Sequence, residues 1–197
     1  MTLQDDDIRL LVQQVVNRVL AETSAPAVIA DAGENARAIS DSPVGSPKTI
    51  ALGADHGGLA MKQDLAQYLA ELGYTVNDCG TFTADPVDYP DIAYAVAKLV
   101  SDGAAARGII IDGAGIGSAM TANKVPGVRA ALCYDLSTAR NAREHNDANV
   151  LTLGARLIGA GLARDIVKVF LETECTEERH KKRVAKIMQV ERRYLKK

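Results

Sequence analysis

Tryptophan is absent from these 197 residues, and only two phenylalanines and six tyrosines are present. Stacking platforms for bases need such rings, so their scarcity argues against a binder of single-stranded nucleic acid. Neither charge dominates: 23 Lys and Arg stand against 25 Asp and Glu, a net charge of −2. The chain therefore carries no general attraction for phosphate polymers, and nucleic acid is not an expected partner. The three cysteines, Cys79, Cys133 and Cys175, are odd in number and too far apart for a disulfide framework or a zinc site. That usage fits a reducing compartment, and the expected location is the cytoplasm. No apolar run approaches the roughly 18 residues a membrane helix needs, so no membrane is expected. The acidic opening, Asp5-Asp6-Asp7, has the wrong charge for a secretory leader. Repeats and low-complexity tracts are also missing.

What the chain does have is apolar content, 47%, enough for one core of about 150 residues with something added. Three parts stand out. Residues 1–22 hold an amphipathic helix, with apolar side chains at 8, 11, 12, 15, 16, 19 and 20 along one face. Residues 23–47 contain Pro26, Gly33, Pro43, Gly45 and Pro47 among Ser and Ala, the composition of a flexible linker. From 48 to 197 the pattern alternates between strand and helix. Strands are expected near 48–54, 74–78, 107–112, 128–133 and 149–153. Helices are expected near 58–72, 91–102, 116–124, 137–146, 160–173 and 176–194. That alternation makes an α/β domain: a five-stranded parallel sheet with helices on both faces, and a ligand crevice at the carboxyl ends of the strands.

The segment 107–124, RGIIIDGAGIGSAMTANK, runs from a strand through a glycine loop into a helix. Backbone N–H groups in such a loop suit a phosphate or a developing oxyanion. Asp112 closes the strand, and a carboxylate beside an anion cradle makes chemical sense as a base whose proton abstraction creates the anion. Asp55 and His56, at the end of the first strand and followed by Gly57 and Gly58, face the same crevice. The plainer reading of Asp55 is an N-cap for the next helix. Tyr89 either lines the pocket or covers the core. His145 ends a helix, where the dipole favours its protonated form and an acid's role; the plainer reading is a capping histidine. Arg179 and Arg183, four apart, share a helix face and suit a phosphate, although a run of charge is more often a solvated face. No G-x-G-x-x-G or GK[ST] fingerprint completes a nucleotide site, and no metal cluster is evident. A small phosphorylated substrate handled by proton transfer is the economical reading.

ADHGG (54–58), DYPD (88–91), the G-x-G-x-G loop with ANKVPG (122–127), REHNDANV (143–150), LGAR (153–156) and RHKKRV (179–184) together resemble type B ribose-5-phosphate isomerases. That family also includes the two subunits of galactose-6-phosphate isomerase. The resemblance runs from about 48 to 190. It implies a Rossmann-like α/β/α sandwich, a homodimer or tetramer with shared sites, and no cofactor or metal. It implies interconversion of an aldose phosphate with its ketose, ribose 5-phosphate and ribulose 5-phosphate being the expected pair. His145 would help to open the sugar ring. Asp55, His56 and Asn146 would contact sugar hydroxyls, and the backbone of Gly113, Ala114, Gly115, Ile116 and Gly117 would hold the enediolate oxygens. Arg156, Arg179 and Arg183 would meet the phosphate or the neighbouring subunit's substrate.

Two departures from that pattern matter. Many members carry Cys-Gly-Thr-Gly where this chain has Asp112-Gly113-Ala114-Gly115, and others place a Glu base where this chain has Ser118. Asp112 is then the acidic residue left to act as base. An ordinary aspartate is ionised at neutral pH, whereas a thiol must first be activated. The alternatives are an isomerase for another sugar phosphate, or a binding subunit that depends on a thiol-bearing partner. The helix at residues 5–22 resembles the encapsulation peptides of bacterial microcompartments, implying a shell protein as partner and a location inside the shell. The plainer alternative is that it packs on its own domain or mediates oligomerisation.

Overall fold

The computed structural model describes residues 48–195; the amphipathic helix and linker expected at 1–47 lie outside the described residues. Strands β1 (Thr49–Ala54), β2 (Thr75–Asp78), β3 (Arg107–Asp112), β4 (Ala130–Leu132) and β5 (Val150–Gly154) form one sheet. Every pairing is parallel, and the order across the sheet is β2-β1-β3-β5-β4. Helices α1 (Leu59–Glu71), α2 (Tyr89–Ser101), α3 (Ile116–Ala122), α4 (Leu136–Asn146), α5 (Ala160–Glu172) and α6 (Glu178–Tyr194) complete the domain. This is the expected Rossmann-like α/β/α arrangement.

Strand residues alternate between two cores, as the period of two requires. Ile50, Leu52, Ala54, Ile109, Ile111, Leu151 and Leu153 pack with Leu65 and Leu69 of α1, Ala139 of α4 and Ile166 and Phe170 of α5. On the other face Ala51, Ile110 and Val150 meet Val96, Ala97 and Val100 of α2 and Ala122 of α3. Here the strands carry glycine where α2 comes closest. A Cβ at Gly53 would sit 2.7 Å from Ile92 Cγ2, and one at Gly108 would sit 2.8 Å from Val96 Cγ1.

Most boundaries fall within a residue or two of the sequence expectation. The exception is β4, three residues rather than six. Pro126-Gly127 makes a turn there, with Gly127 at φ 80°, and the Arg129 N–H donates to the Asn149 side chain at 2.7 Å instead of joining the ladder. From β1 the chain passes to β2 on one side, and from β3 it crosses toward β5 and β4 on the other. The carboxyl ends of β1 and β3 therefore flank the switch point, where open α/β sheets bind ligands.

Candidate active site

Residues from four segments converge on this switch point. Ala54 N–H donates to Gly80 O and Thr81 N–H to Ala54 O, tying the loop after β2 to the end of β1. Asp55 Oδ1 accepts from Gly58 N–H at 2.9 Å, closing the turn that leads into α1; the N-cap itself is Gly58, so Asp55 is not the helix cap that the plainer reading expected. His56 Nδ1 accepts from Val87 N–H at 3.3 Å, leaving Nε2 as the nitrogen for other partners. Tyr89 opens α2, and its ring lies against the glycine loop: a methyl on Gly117 would be 2.5 Å from it. Of the two readings of Tyr89, contact with the loop is the one observed. Arg156, just past β5, runs its stem 3.7 Å (Cδ) from where a Gly113 Cβ would stand, and its N–H donates to Gly113 O.

At the centre is Asp112, 6% exposed. Its Oδ1 accepts from Ala114 N–H at 2.7 Å and, over a shorter distance, from Gly115 N–H. Its Oδ2 accepts from Ser118 N–H at 3.1 Å and from the Ser118 hydroxyl at 2.5 Å. The anion that these loop amides hold is thus Asp112's own carboxylate. Among the loop residues, the N–H groups of Gly113, Ile116 and Gly117 are the ones Asp112 does not take. Gly115 makes the turn possible with φ 77°, a region costly for side chains. Tyr134 hydroxyl donates to Ala114 O at 2.5 Å and pins the loop from β4's side. In the sequence Ser118 stands out only as a departure from the family's Glu, and Tyr134 does not stand out. The signal for Ser118 was its place in the first turn of α3, where hydroxyls and carboxylates pair with free amides.

Neither Cys79 nor Cys133 has the lowered pKa of a cysteine base. Burial pushes Cys79 up to about 12 and Cys133 up to about 11, so both stay protonated at neutral pH. Among the described residues no group of His, Cys, Asp and Glu could hold a metal ion.

The other expected residues lie at the opposite, amino-terminal end of the strands. His145 and Asn146 end α4 a few residues before β5, where Asn149 O accepts from Gly108 N–H at the start of β3. Asp147, in the left-handed region at φ 46°, caps α4. It pairs with Arg129 at 3.0 Å and with the buried Arg143 at 2.6 Å. His145 Nδ1 lies 3.0 Å from Asn141 Nδ2, and its ring stacks on His180 with centroids 4.1 Å apart. Arg179 is exposed and pairs with Glu177 at 2.5 Å, and Arg183 is exposed one turn on. Between this group and Asp112 runs the length of β3, six residues or about 20 Å. The structure therefore brings together Asp55, His56, Tyr89, Asp112 to Gly117 and Arg156. It places His145, Asn146, Arg179 and Arg183 apart from them in the same chain.

Comparison with known proteins agrees with this architecture. The family model described as ribose/galactose isomerase matches residues 50–187. Ribose-5-phosphate isomerase B of Escherichia coli is 40% identical over 146 residues, 74% of this chain and 98% of that protein. D-erythrulose-4-phosphate isomerase of Pectobacterium atrosepticum is 43% identical over 130 residues, 64% of this chain and 84% of the relative. The solved ribose-5-phosphate isomerase B of Clostridium thermocellum superposes with a TM-score of 0.73 at 48% identity, covering 75% of this chain and 99% of that one. Matched over nearly all of its described length, the chain belongs to the ribose/galactose isomerase family and is a sugar-phosphate isomerase.

Proposed function

We propose that the substrate pair is ribose 5-phosphate and ribulose 5-phosphate, interconverted through an enediolate with Asp112 as the base. The observation that carries this reading is the convergence of Asp112, Asp55, His56, Tyr89 and Arg156 on one glycine loop at the switch point. Asp112 takes the proton from the carbon beside the carbonyl and returns it to the neighbouring carbon. Asp55, His56 and Asn146 hold sugar hydroxyls. Backbone N–H groups of the loop 113–117 that Asp112 does not occupy meet the enediolate oxygens. Arg156, Arg179 and Arg183 grip the phosphate, and His145 assists ring opening. Only protons move, so the reaction calls for no cofactor.

The separation of the two groups along β3 supports a site shared between two copies. One copy gives the glycine loop; its partner gives His145, Asn146, Arg179 and Arg183. A homodimer, alone or paired into a tetramer, is the assembly this requires.

The test is turnover by the purified chain on ribose 5-phosphate, erythrulose 4-phosphate and galactose 6-phosphate, with Asp112→Asn beside it. Turnover on the pentose, lost by at least about 10²-fold in the variant with binding retained, is the expected result. Near-normal turnover in the variant sinks the assignment of Asp112. Preference for the four- or six-carbon sugar moves the chain to another substrate. A second reading, a binding subunit with little activity of its own, draws on the four donors that already surround the Asp112 carboxylate. Binding without turnover by the wild-type chain would favour it.

Residues 5–22 are proposed as an encapsulation peptide that docks its apolar stripe on a microcompartment shell protein. Removing residues 1–25 is expected to leave kinetics unchanged and abolish recovery with the shell. Loss of folding or of assembly after the deletion would place the helix on its own domain instead.

A further inference from the structure

We infer that Ser118 is a positioning residue of the isomerisation, the one partner of Asp112 that can accommodate the proton once Asp112 has taken it. The inference rests on the reading of Asp112 as the base. An ionised carboxylate offers about four acceptor sites, and in this chain all are engaged: by the N–H groups of Ala114, Gly115 and Ser118 and by the Ser118 hydroxyl. Three of these partners are backbone amides, which donate and never accept. A hydrogen placed on Oδ1 would meet two N–H groups head on. On Oδ2 it would meet one N–H and the hydroxyl. A hydroxyl both donates and accepts, so Ser118 alone can exchange roles with the acid.

Ser118 is fully buried, whereas Asp112 keeps a sliver of exposure. Of the pair, Asp112 is the one that reaches solvent, and Ser118 bonds to its Oδ2. The C–H bond of the substrate breaks, its electron pair stays on the sugar as the enediolate, and an O–H bond forms at Asp112 Oδ2. The Ser118 hydroxyl turns its own hydrogen away, and its oxygen accepts from the new Oδ2–H. In the second half the acid's O–H swings from Ser118 back to the sugar, the Oδ2–H bond breaks, the proton forms a C–H bond at the neighbouring carbon, and Ser118 returns to donating. Nothing is oxidised or reduced outside the sugar. A Cys base in the same loop would not create this need, because a thiol does not gather four donors around two oxygens. Asp112 and Ser118 thus form a pair in this chain.

Ser118→Ala tests the pair, with Ser118→Thr, Ser118→Cys and Asp112→Asn assayed beside it on whichever sugar phosphate the wild type turns over. The alanine variant keeps the three amide donors and removes the acceptor. It is expected to lose roughly 10²-fold in kcat, within the range of general-base effects. KM should stay within about twofold, because the role assigned to Ser118 is exercised on Asp112 and not on the bound sugar. Ser118→Thr keeps the hydroxyl and is expected to recover most of the turnover. Should the alanine variant melt early, Ser118→Cys gives the same comparison, since a thiol accepts only weakly. Lowered kcat with KM kept supports the pair. Wild-type kcat in Ser118→Ala or Ser118→Cys, with Asp112→Asn inactive, overturns it. If Asp112→Asn itself turns over normally, the assignment of the base falls first and the role of Ser118 falls with it.

Discussion

His180 is 2% exposed, and neither ring nitrogen has a hydrogen-bond partner. Burial lowers its pKa from the ordinary 6.5, and His145, Arg179 and Arg183 push the same way, with Glu177 opposing. The consequence for stability has a definite sign. Just below pH 6.5 the unfolded chain binds a proton that the folded chain refuses, so the folded state loses ground as pH falls. That stability is present above the unfolded value and is lost as pH drops through the depressed folded one. Thermal midpoints of wild type and His180→Phe, taken from about pH 7.5 down to pH 5, check this. The phenylalanine keeps a ring against His145 and cannot titrate, so its midpoint should decline less with acid. Parallel declines would show that His180 contributes nothing to the slope. The same residue shows what the sequence hid. RHKKRV reads as a row of surface cations, and Arg179 and Arg183 are that, but the histidine between them is packed inside. The neighbour that buries it, His145, is 35 positions away in the chain.

At the scale of elements, the sheet was legible because its strands are short apolar runs ending in the residues that matter. Ala54-Asp55-His56 and Ile111-Asp112-Gly113 each change from core to crevice at the carboxyl end, where a parallel sheet opens to ligand. The short edge strand β4 was overestimated, since VRAALC has strand composition throughout. Only the turn at Gly127 and the side chain of Asn149 decide where pairing begins. Contacts between distant elements left no trace in local pattern. Lys62 of α1 is buried and pairs with both carboxylate oxygens of Asp78 at 2.7 Å, under the ring of Phe82. Arg164 of α5 grips Asp64 of α1 across 100 positions, its Nε donating at 2.8 Å. Each of these residues read alone is one more charge on a helix or at a strand end. The candidate site was legible to the same degree: its residue types announced themselves, but which groups share one pole of the domain depended on the path of α4 and α6.

At the scale of the molecule, a site divided between copies makes a quantitative prediction. Chains carrying Asp112→Asn and chains carrying His145→Gln are each expected to be nearly inactive. In a hybrid dimer one site collects both lesions and the other collects neither. Random mixing makes half of the dimers hybrids with half of their sites intact, so roughly a quarter of wild-type activity should return on co-refolding or co-expression. Activity that stays at the level of the separate variants would mean that each chain works alone or that the two residues do not share a site.

The loop that carries Asp112 also carries no sulfur, and of the cysteines elsewhere the half-buried Cys79 and the buried Cys133 are held protonated. An isomerase with cysteine at that position keeps a reactive nucleophile open to peroxide and to electrophilic aldehydes, and such a thiolate climbs an oxidation ladder whose upper rungs are irreversible. A carboxylate has no such ladder. With Asp112 as the proposed base, sugar interconversion by this chain is expected to continue through an oxidative burst, or beside a reactive carbonyl compound, that silences a relative relying on sulfur.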